Sequence, residues 1–479
     1  MKDNGFNIWK IDLPLVLCYL ALIIIGWLNI YSSIYVEGDG SIFNFSQKYG
    51  MQLVWISTAI VIAIGILFIF SSKIYSVFSP VFYFTACLLL ISVIFLGKEI
   101  NGSKSWFVIG PVSFQPAEVS KICTSLFIAY IMGKHGFKIH KIKDAITIAL
   151  TILVPMMIII MEKETGSALV YCGFIFVLYR EGLSGWFLLY GLLIILLFII
   201  TLAVSPFYAI ITLFFFTAFA YIVINKKYNN IFKYIFIIGA ILIFFPKIYN
   251  TKWLNFLQIL KIEYWALILS GTFFLALLFK DIWKKKSHIK LIFLSYVCSI
   301  IFIFSVQFIF HKIMQPHQRS RIENLLGITE DLKGVGYNVH QSKIAIGSGG
   351  FIGKGFLNGT QTKYNFVPEQ STDFIFCTIG EEWGFIGGVT VIGLFLFLII
   401  RIILLSEKQK DNFSRIYGYC VASCFFMHMF INIGMTMGIL PVIGIPLPFI
   451  SYGGSSLWSF TILLFIFIRL NMDRWEKYS

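Results

Sequence analysis

The chain has 479 residues, 58% of them hydrophobic and 13% charged, with a formal net charge of +15. Soluble globular chains hold about 25% charged residues. The shortfall, with repeated apolar runs of roughly 18 residues or more, excludes a soluble domain and points to a polytopic helical membrane protein. A transmembrane barrel would alternate over segments of about ten residues, whereas these Ile-, Leu- and Phe-rich runs are continuous.

Apolar spans are expected near 12–34, 50–70, 77–97, 116–133, 145–161, 166–181, 185–203, 207–224, 231–246, 264–279, 290–310, 375–400, 415–436 and 454–470, about fourteen in all. The first run is too long for a cleaved signal and reads as an anchor. Lys and Arg gather in short cytoplasmic loops, which explains the net charge without a nucleic acid partner. Placing the N-terminus inside puts Lys73, Lys134, Lys138, Arg180, Lys226, Lys284, Arg401, Lys408 and Arg474 on one side. Both termini are then cytoplasmic, and the 311–374 loop faces outward. The eight cysteines, Cys18 to Cys424, lie in or beside apolar runs without a CxxC pair. They read as small buried hydrophobes.

Several polar constellations interrupt the apolar chain. NGSKSWFVIGPVSFQPAEVSK (101–121) is an outward loop feeding a helix. Pro116 suits a first helical turn, and Glu118 with Lys121 makes an i,i+3 pair. Charge at the mouth of a span is also a mark of function, so both readings stand. Trp106 fits an interfacial anchor or a substrate contact. EKETGSAL (162–169) reads mainly as a helix start. HQRSR (317–321) fits either a phosphorylated headgroup or interfacial snorkelling.

GSGGFIGKG (347–355) imitates a phosphate loop, but Ser348 and Gly355 break the Walker pattern. A backbone nest for a lipid pyrophosphate and plain glycine turns both remain open. In VPEQSTDFIF (367–376), Ser371, Thr372 and Asp373 could each cap the helix that follows. A carboxylate at this junction of polar loop and apolar span would also be desolvated, its pKa raised, and thus a better general base. Finally, NIGMTMGILPVIGIPLPFISYGGSS (432–456) is too rich in Pro and Gly for a simple span. It is expected to turn outward beside the 337–374 loop.

These stretches together resemble the SEDS family (shape, elongation, division and sporulation), most closely its RodA branch, with FtsW the sibling. The carriers are QSKIAIGSGGFIGKGFLNGTQ, FVPEQSTDFIF, IGEEWGFIGG and GILPVIGIPLPFISYGGSS, with WFVIGPVSFQPAEVSKI and ETGSALV in support. The resemblance covers about 12–200 and 311–470. It implies an all-α membrane fold with a ten-helix core, here enlarged by about four helices. The expected divisions are 1–204, an insertion at 205–289, and 290–479.

The resemblance further implies a peptidoglycan glycosyltransferase that polymerises lipid II at the outer face of the cytoplasmic membrane during cell elongation. The family's essential Asp falls on Asp373, its Glu and Lys on Glu118 and Lys121, and its loop tryptophan on Trp106. Where the family often has Arg before that tryptophan, this chain has Ser105. Further candidate substrate contacts are Gln341, Ser342, Lys343, Ser348, Lys354, Thr360, Gln361, Glu369, Thr372 and Ser451. Lys121, Lys343, Lys354 and Arg319 are candidates to offset leaving-group charge. A class B penicillin-binding protein is the implied partner. A divalent cation, Mg or Mn, is implied without an assignable ligand cluster. The competing readings are a flippase or transporter of the lipid-linked precursor, or a scaffold that only docks a transpeptidase.

Overall fold

The computed structural model describes residues 10–35, 43–100, 103–110, 112–225, 229–249, 258, 260–282, 288–314, 319–320, 322–323, 326, 336–364 and 366–474. The chain divides into two compact units, Met1–Leu183 with Tyr337–Ser479, and Ser184–Gly336.

The first unit begins with α1 (Leu13–Ile34), α2 (Lys48–Phe68), the short α3 (Ser72–Val77) and α4 (Ser79–Leu96). A small antiparallel sheet follows: β1 (Lys98–Ile100), β2 (Ser103–Ile109) and β3 (Val112–Phe114), in the order β1-β2-β3. The expected plain loop at 101–121 is therefore largely a meander, which its alternating Ser103, Ser105 and Phe107 permit. Next come α5 (Pro116–Gly133), α6 (Ile142–Met161), α7 (Thr165–Tyr171) and α8 (Phe174–Arg180). Pro116 opens α5, where its missing N–H costs nothing.

The second unit contains α9 (Gly185–Ala203), α10 (Pro206–Asn225), α11 (Asn229–Tyr249), α12 (Ile262–Ile282) and α13 (His288–Phe308). Sequence reasoning assigned α9 and α13 to the core. Both pack on α10, and Tyr190 of α9 donates to Ser295 O of α13 at 3.3 Å. They share the second compact unit with α10, α11 and α12.

The first unit resumes with α14 (Tyr337–Ser348), α15 (Thr360–Lys363), α16 (Ile375–Glu382), α17 (Gly384–Glu407), α18 (Asn412–Thr436) and α19 (Gly454–Met472). Among the described residues twelve helices are long and apolar enough to cross a membrane. With α5 and the apolar α7–α8 pair, they coincide with the fourteen expected spans. Two local differences bear on the site. Residues 337–348, expected as irregular loop, form α14, because no Pro and no glycine before Gly347 interrupts that stretch. The expected 375–400 span breaks at Trp383, between α16 and α17.

Helix α18 is the axis of this unit. It packs against α5, α17 and α19, and is buried nearly all round. Three polar residues four apart, His428, Asn432 and Thr436, have 0% exposure. A polar stripe on so enclosed a helix needs partners, and those partners build the site.

Candidate active site

Four consecutive loop residues, 370–373, are each tied to another element. Gln370 Nε2 donates to Ser33 O of α1 at 2.7 Å. Tyr452 N donates to Ser371 O at 2.9 Å, and Ser451 Oγ to Thr372 O at 2.7 Å. Asn432 Nδ2 of α18 donates to Asp373 O at 2.8 Å. The turn is completed by Glu369, which adopts φ 53°. Its carbonyl accepts from Thr372 N and Phe374 N, each at 3.2 Å.

The backbone of Asp373 is pinned, but its carboxylate accepts no hydrogen bond from the described residues. Nor does it cap the helix: the N-cap of α16 is Phe374, without a side-chain bond. Burial pushes the Asp373 carboxyl up from 3.8 to about 6, with the charges of Glu369 and Glu164 adding to the rise. Opposite it stands Gly444, with φ 73°. A Cβ there would lie 3.1 Å from Asp373 Oδ2, so only glycine gives the carboxylate this space.

Glu164 is anchored by Gln115 Nε2 and by Ser167 Oγ at 2.6 Å. Its Oε2 is buried without a partner, as are both oxygens of Glu162. Burial, reinforced by Glu164, pushes Glu162 up to about 8. The side of the site formed by α6 and α7 thus adds to the negative field at Asp373.

Glu118 and Lys121 are sealed inside the protein, with side-chain exposures of 1% and 3%. They pair at 2.7 Å, and Lys121 Nζ also lies 2.7 Å from His428 Nε2. The structural reading of the i,i+3 pair is thus realised, and direct contact with substrate is closed to both. Lys354, Thr360 and Gln361 likewise turn inward, onto Glu381 of α16. Lys354 Nζ lies 2.7 Å from Glu381 Oε1, joined by Thr360 Oγ1 at 3.2 Å and Gln361 N at 2.9 Å. Thr362 N and Oγ1 bind Oε2, each at 3.0 Å. Glu381 has 0% exposure, and this clasp is what makes its burial tolerable.

The glycine stretch is no open anion nest. Lys354 N and Gly355 N donate to Glu381 O and Glu382 O at 3.0 and 2.9 Å. They satisfy carbonyls left over at the end of α16. A Cβ at Gly353 would sit 2.1 Å from Glu382 O. The glycines therefore let loop and helix touch.

Other candidates are distributed around this frame. Ser451 Oγ accepts from Leu447 N at 2.8 Å besides its bond to Thr372, so it staples two loops. Thr372 Oγ1 donates to Glu369 Oε2 at 3.1 Å. Ser342 is buried, donating to Thr436 O at 2.9 Å, while Gln341 is half-buried. Lys343 is exposed beside Gly438. Ser348 bonds locally to Ala345 O, and Trp106 is half-buried on β2, across from Lys98. Arg319, in the second unit, pairs with Glu323 at 2.6 Å. His317 and Arg321 lie outside the described residues.

Sequence reasoning passed over three site residues. Exposed Lys48 sets its ammonium 3.2 Å from Ser371 Oγ and 5.7 Å from the Tyr452 ring centroid. His428 and Asn432 were legible as polar residues four apart in an apolar span, a pattern that marks function in membranes.

A family profile described as "FTSW_RODA_SPOVE: Cell cycle protein" matches residues 13–209 and 263–476. The chain belongs to that family. The unmatched stretch, 210–262, lies within the expected insertion. The peptidoglycan glycosyltransferase RodA of Treponema pallidum is 29% identical over 474 residues, covering 98% of this chain and 99% of the relative. A chain of a solved peptidoglycan synthase complex matches with TM-score 0.59 at 23% identity, covering 97% of this chain and 99% of that one. The rod shape determining protein RodA of Thermus thermophilus matches with TM-score 0.53 at 20% identity, covering 97% and 98%. Both solved structures have the fold described above.

Proposed function

We propose that the chain is a peptidoglycan glycosyltransferase that polymerises lipid II, with Asp373 as general base. The observation that carries this is a carboxylate held by its backbone, without a hydrogen bond of its own among the described residues, and raised to about 6 by its surroundings. A base is most effective when its pKa lies near the working pH. At pH 7 to 8 Asp373 is ionised, yet far more basic than a solvated carboxylate.

In the proposed step, Asp373 takes the proton from the 4-hydroxyl of one sugar. That oxygen forms a bond to the anomeric carbon of the other glycan. The bond from that carbon to the phosphate oxygen breaks, and undecaprenyl pyrophosphate departs with the electron pair. Lys121 and Lys354 are engaged in internal ion pairs, so the leaving charge falls to others. Lys48, its ammonium 3.2 Å from Ser371 Oγ and without a carboxylate partner among the described residues, is the group assigned to it. Among the described residues no group of three or more His, Cys, Asp or Glu side chains could hold a metal ion. No ligand set for a divalent cation is assigned, and the step is written without one.

The site is assigned to the outer face of the cytoplasmic membrane. Supporting this, the candidate spans among the described residues are even in number, as expected if both termini share the side where Lys and Arg collect and Asp373 faces the other. A class B penicillin-binding protein is the proposed partner. Its support is the likeness to a chain of a peptidoglycan synthase complex.

The test is purified full-length protein with labelled lipid II in detergent, where no two compartments exist. Glycan polymer supports the enzyme reading. Its absence, with lipid II movement restored in vesicles, would favour the flippase. Polymer made equally by Asp373→Asn would remove the catalytic assignment.

A further inference from the structure

The buried stripe on α18 reaches the site from behind. Asn432 spends both amide hydrogens there, one on Asp373 O at 2.8 Å and one on Ile445 O at 2.7 Å. It therefore ties the base to the residue following Gly444, which lies against the carboxylate. One turn earlier, His428 Nδ1 lies 3.2 Å from Pro446 O. A carbonyl only accepts, so Nδ1 carries the hydrogen and Nε2 is left as an acceptor. Lys121 Nζ meets that nitrogen at 2.7 Å and Glu118 Oε1 at 2.7 Å. The Phe460 ring encloses both groups, 4.7 Å from the imidazole and 5.7 Å from the ammonium.

The chain Glu118–Lys121–His428 fixes one tautomer, and that tautomer holds Pro446. All three side chains are almost wholly buried, so none touches substrate. We infer that Asn432 and His428 are positioning residues, which clamp the 444–446 segment against the Asp373 loop and set the space around the base. Glu118 and Lys121 then act at a distance, through the imidazole. Small displacements of reacting groups can cost about a hundredfold in rate, so a clamp made of single hydrogen bonds is a sensitive point.

This inference rests on Asp373 being the base, so Asp373→Asn is assayed alongside. Asn432→Leu and His428→Leu remove the clamp. His428→Gln keeps one donor for Pro446 and one acceptor for Lys121. Rates on lipid II are measured per folded molecule, as a function of pH and of lipid II concentration. For both Leu variants, kcat is expected to fall about tenfold to a hundredfold with KM within about twofold. Their acid limb should move to lower pH, as water reaches the carboxylate. His428→Gln should recover most of the rate lost in His428→Leu.

A merely structural role would lower the yield of folded protein and leave kcat, the acid limb and the Gln–Leu difference unmoved. That result overturns the inference. Polymer from Asp373→Asn would instead overturn the functional reading beneath it. If a Leu variant yields no folded protein, His428→Gln against wild type still decides. A rate within about threefold of wild type and the same acid limb support the clamp, and a loss as deep as that expected for His428→Leu refutes it.

Discussion

Replacing Asp373 by Asn should stabilise the protein at the pH where the enzyme works, while silencing it. The carboxyl titrates near 6 in the folded chain, against 3.8 for the free group. A raised carboxyl pKa means that folding favours the neutral form. The associated stability is fully present below 3.8 and is lost as pH rises through 6. Asparagine copies the neutral form. Each pKa unit is worth about 1.4 kcal/mol, so the advantage of Asn should be about 1 kcal/mol at pH 4.5 and about 3 kcal/mol at pH 7.5. The assay is thermal melting of both proteins in one detergent across that range. The Asn variant should melt higher, by a margin that grows with pH and levels off above about 6. A flat difference, or a lower melting point for Asn at pH 7.5, would refute the claim that this carboxylate is desolvated and unbonded.

Other perturbations follow from the same geometry. Glu369→Gln removes a neighbouring charge that raises the Asp373 pKa, so the acid limb of the pH–rate profile should move to lower pH. An unmoved limb would mean that the limb belongs to another group. Gly444→Ala places a Cβ 3.1 Å from Asp373 Oδ2 at φ 73°. The backbone strain alone should cost about 1 to 3 kcal/mol, and polymerisation should fall by more than folding does. Glu381→Ala strands the Lys354 ammonium and the amides of Gln361 and Thr362. It should destabilise by about 3 to 5 kcal/mol, visible as a large drop in melting temperature.

Much of the fold was legible because hydrocarbon leaves a chain few choices. The fourteen expected apolar runs all fall on helices, twelve of them among the described residues long and apolar enough to cross a membrane, with Thr165–Arg180 a shorter apolar one. What sequence hid was the destination of polar side chains. Lys354 and Thr360 look like substrate contacts in a glycine-rich loop, yet they close on Glu381, twenty or more residues away. Glu118 and Lys121 read correctly as a pair, but their third partner, His428, lies on another helix. Asp373 was recognisable as an acid at a loop–span junction. Whether it capped a helix or stood unbonded depended on contacts from α18 and the 444–451 turn, which no local pattern encodes. The small sheet at 98–114 was missed because two of its strands, β1 and β3, have only three residues each.

The most direct measurement is polymer formation from labelled lipid II by the purified chain, followed from pH 5 to 8.5 for wild type and Asp373→Asn. Wild type should build glycan strands, its rate rising through pH 6 and levelling above it, while the Asn protein, folded and at least as stable, makes none. Strands from the Asn protein, or a wild-type rate indifferent to pH across 6, would contradict a mechanism built on this carboxylate.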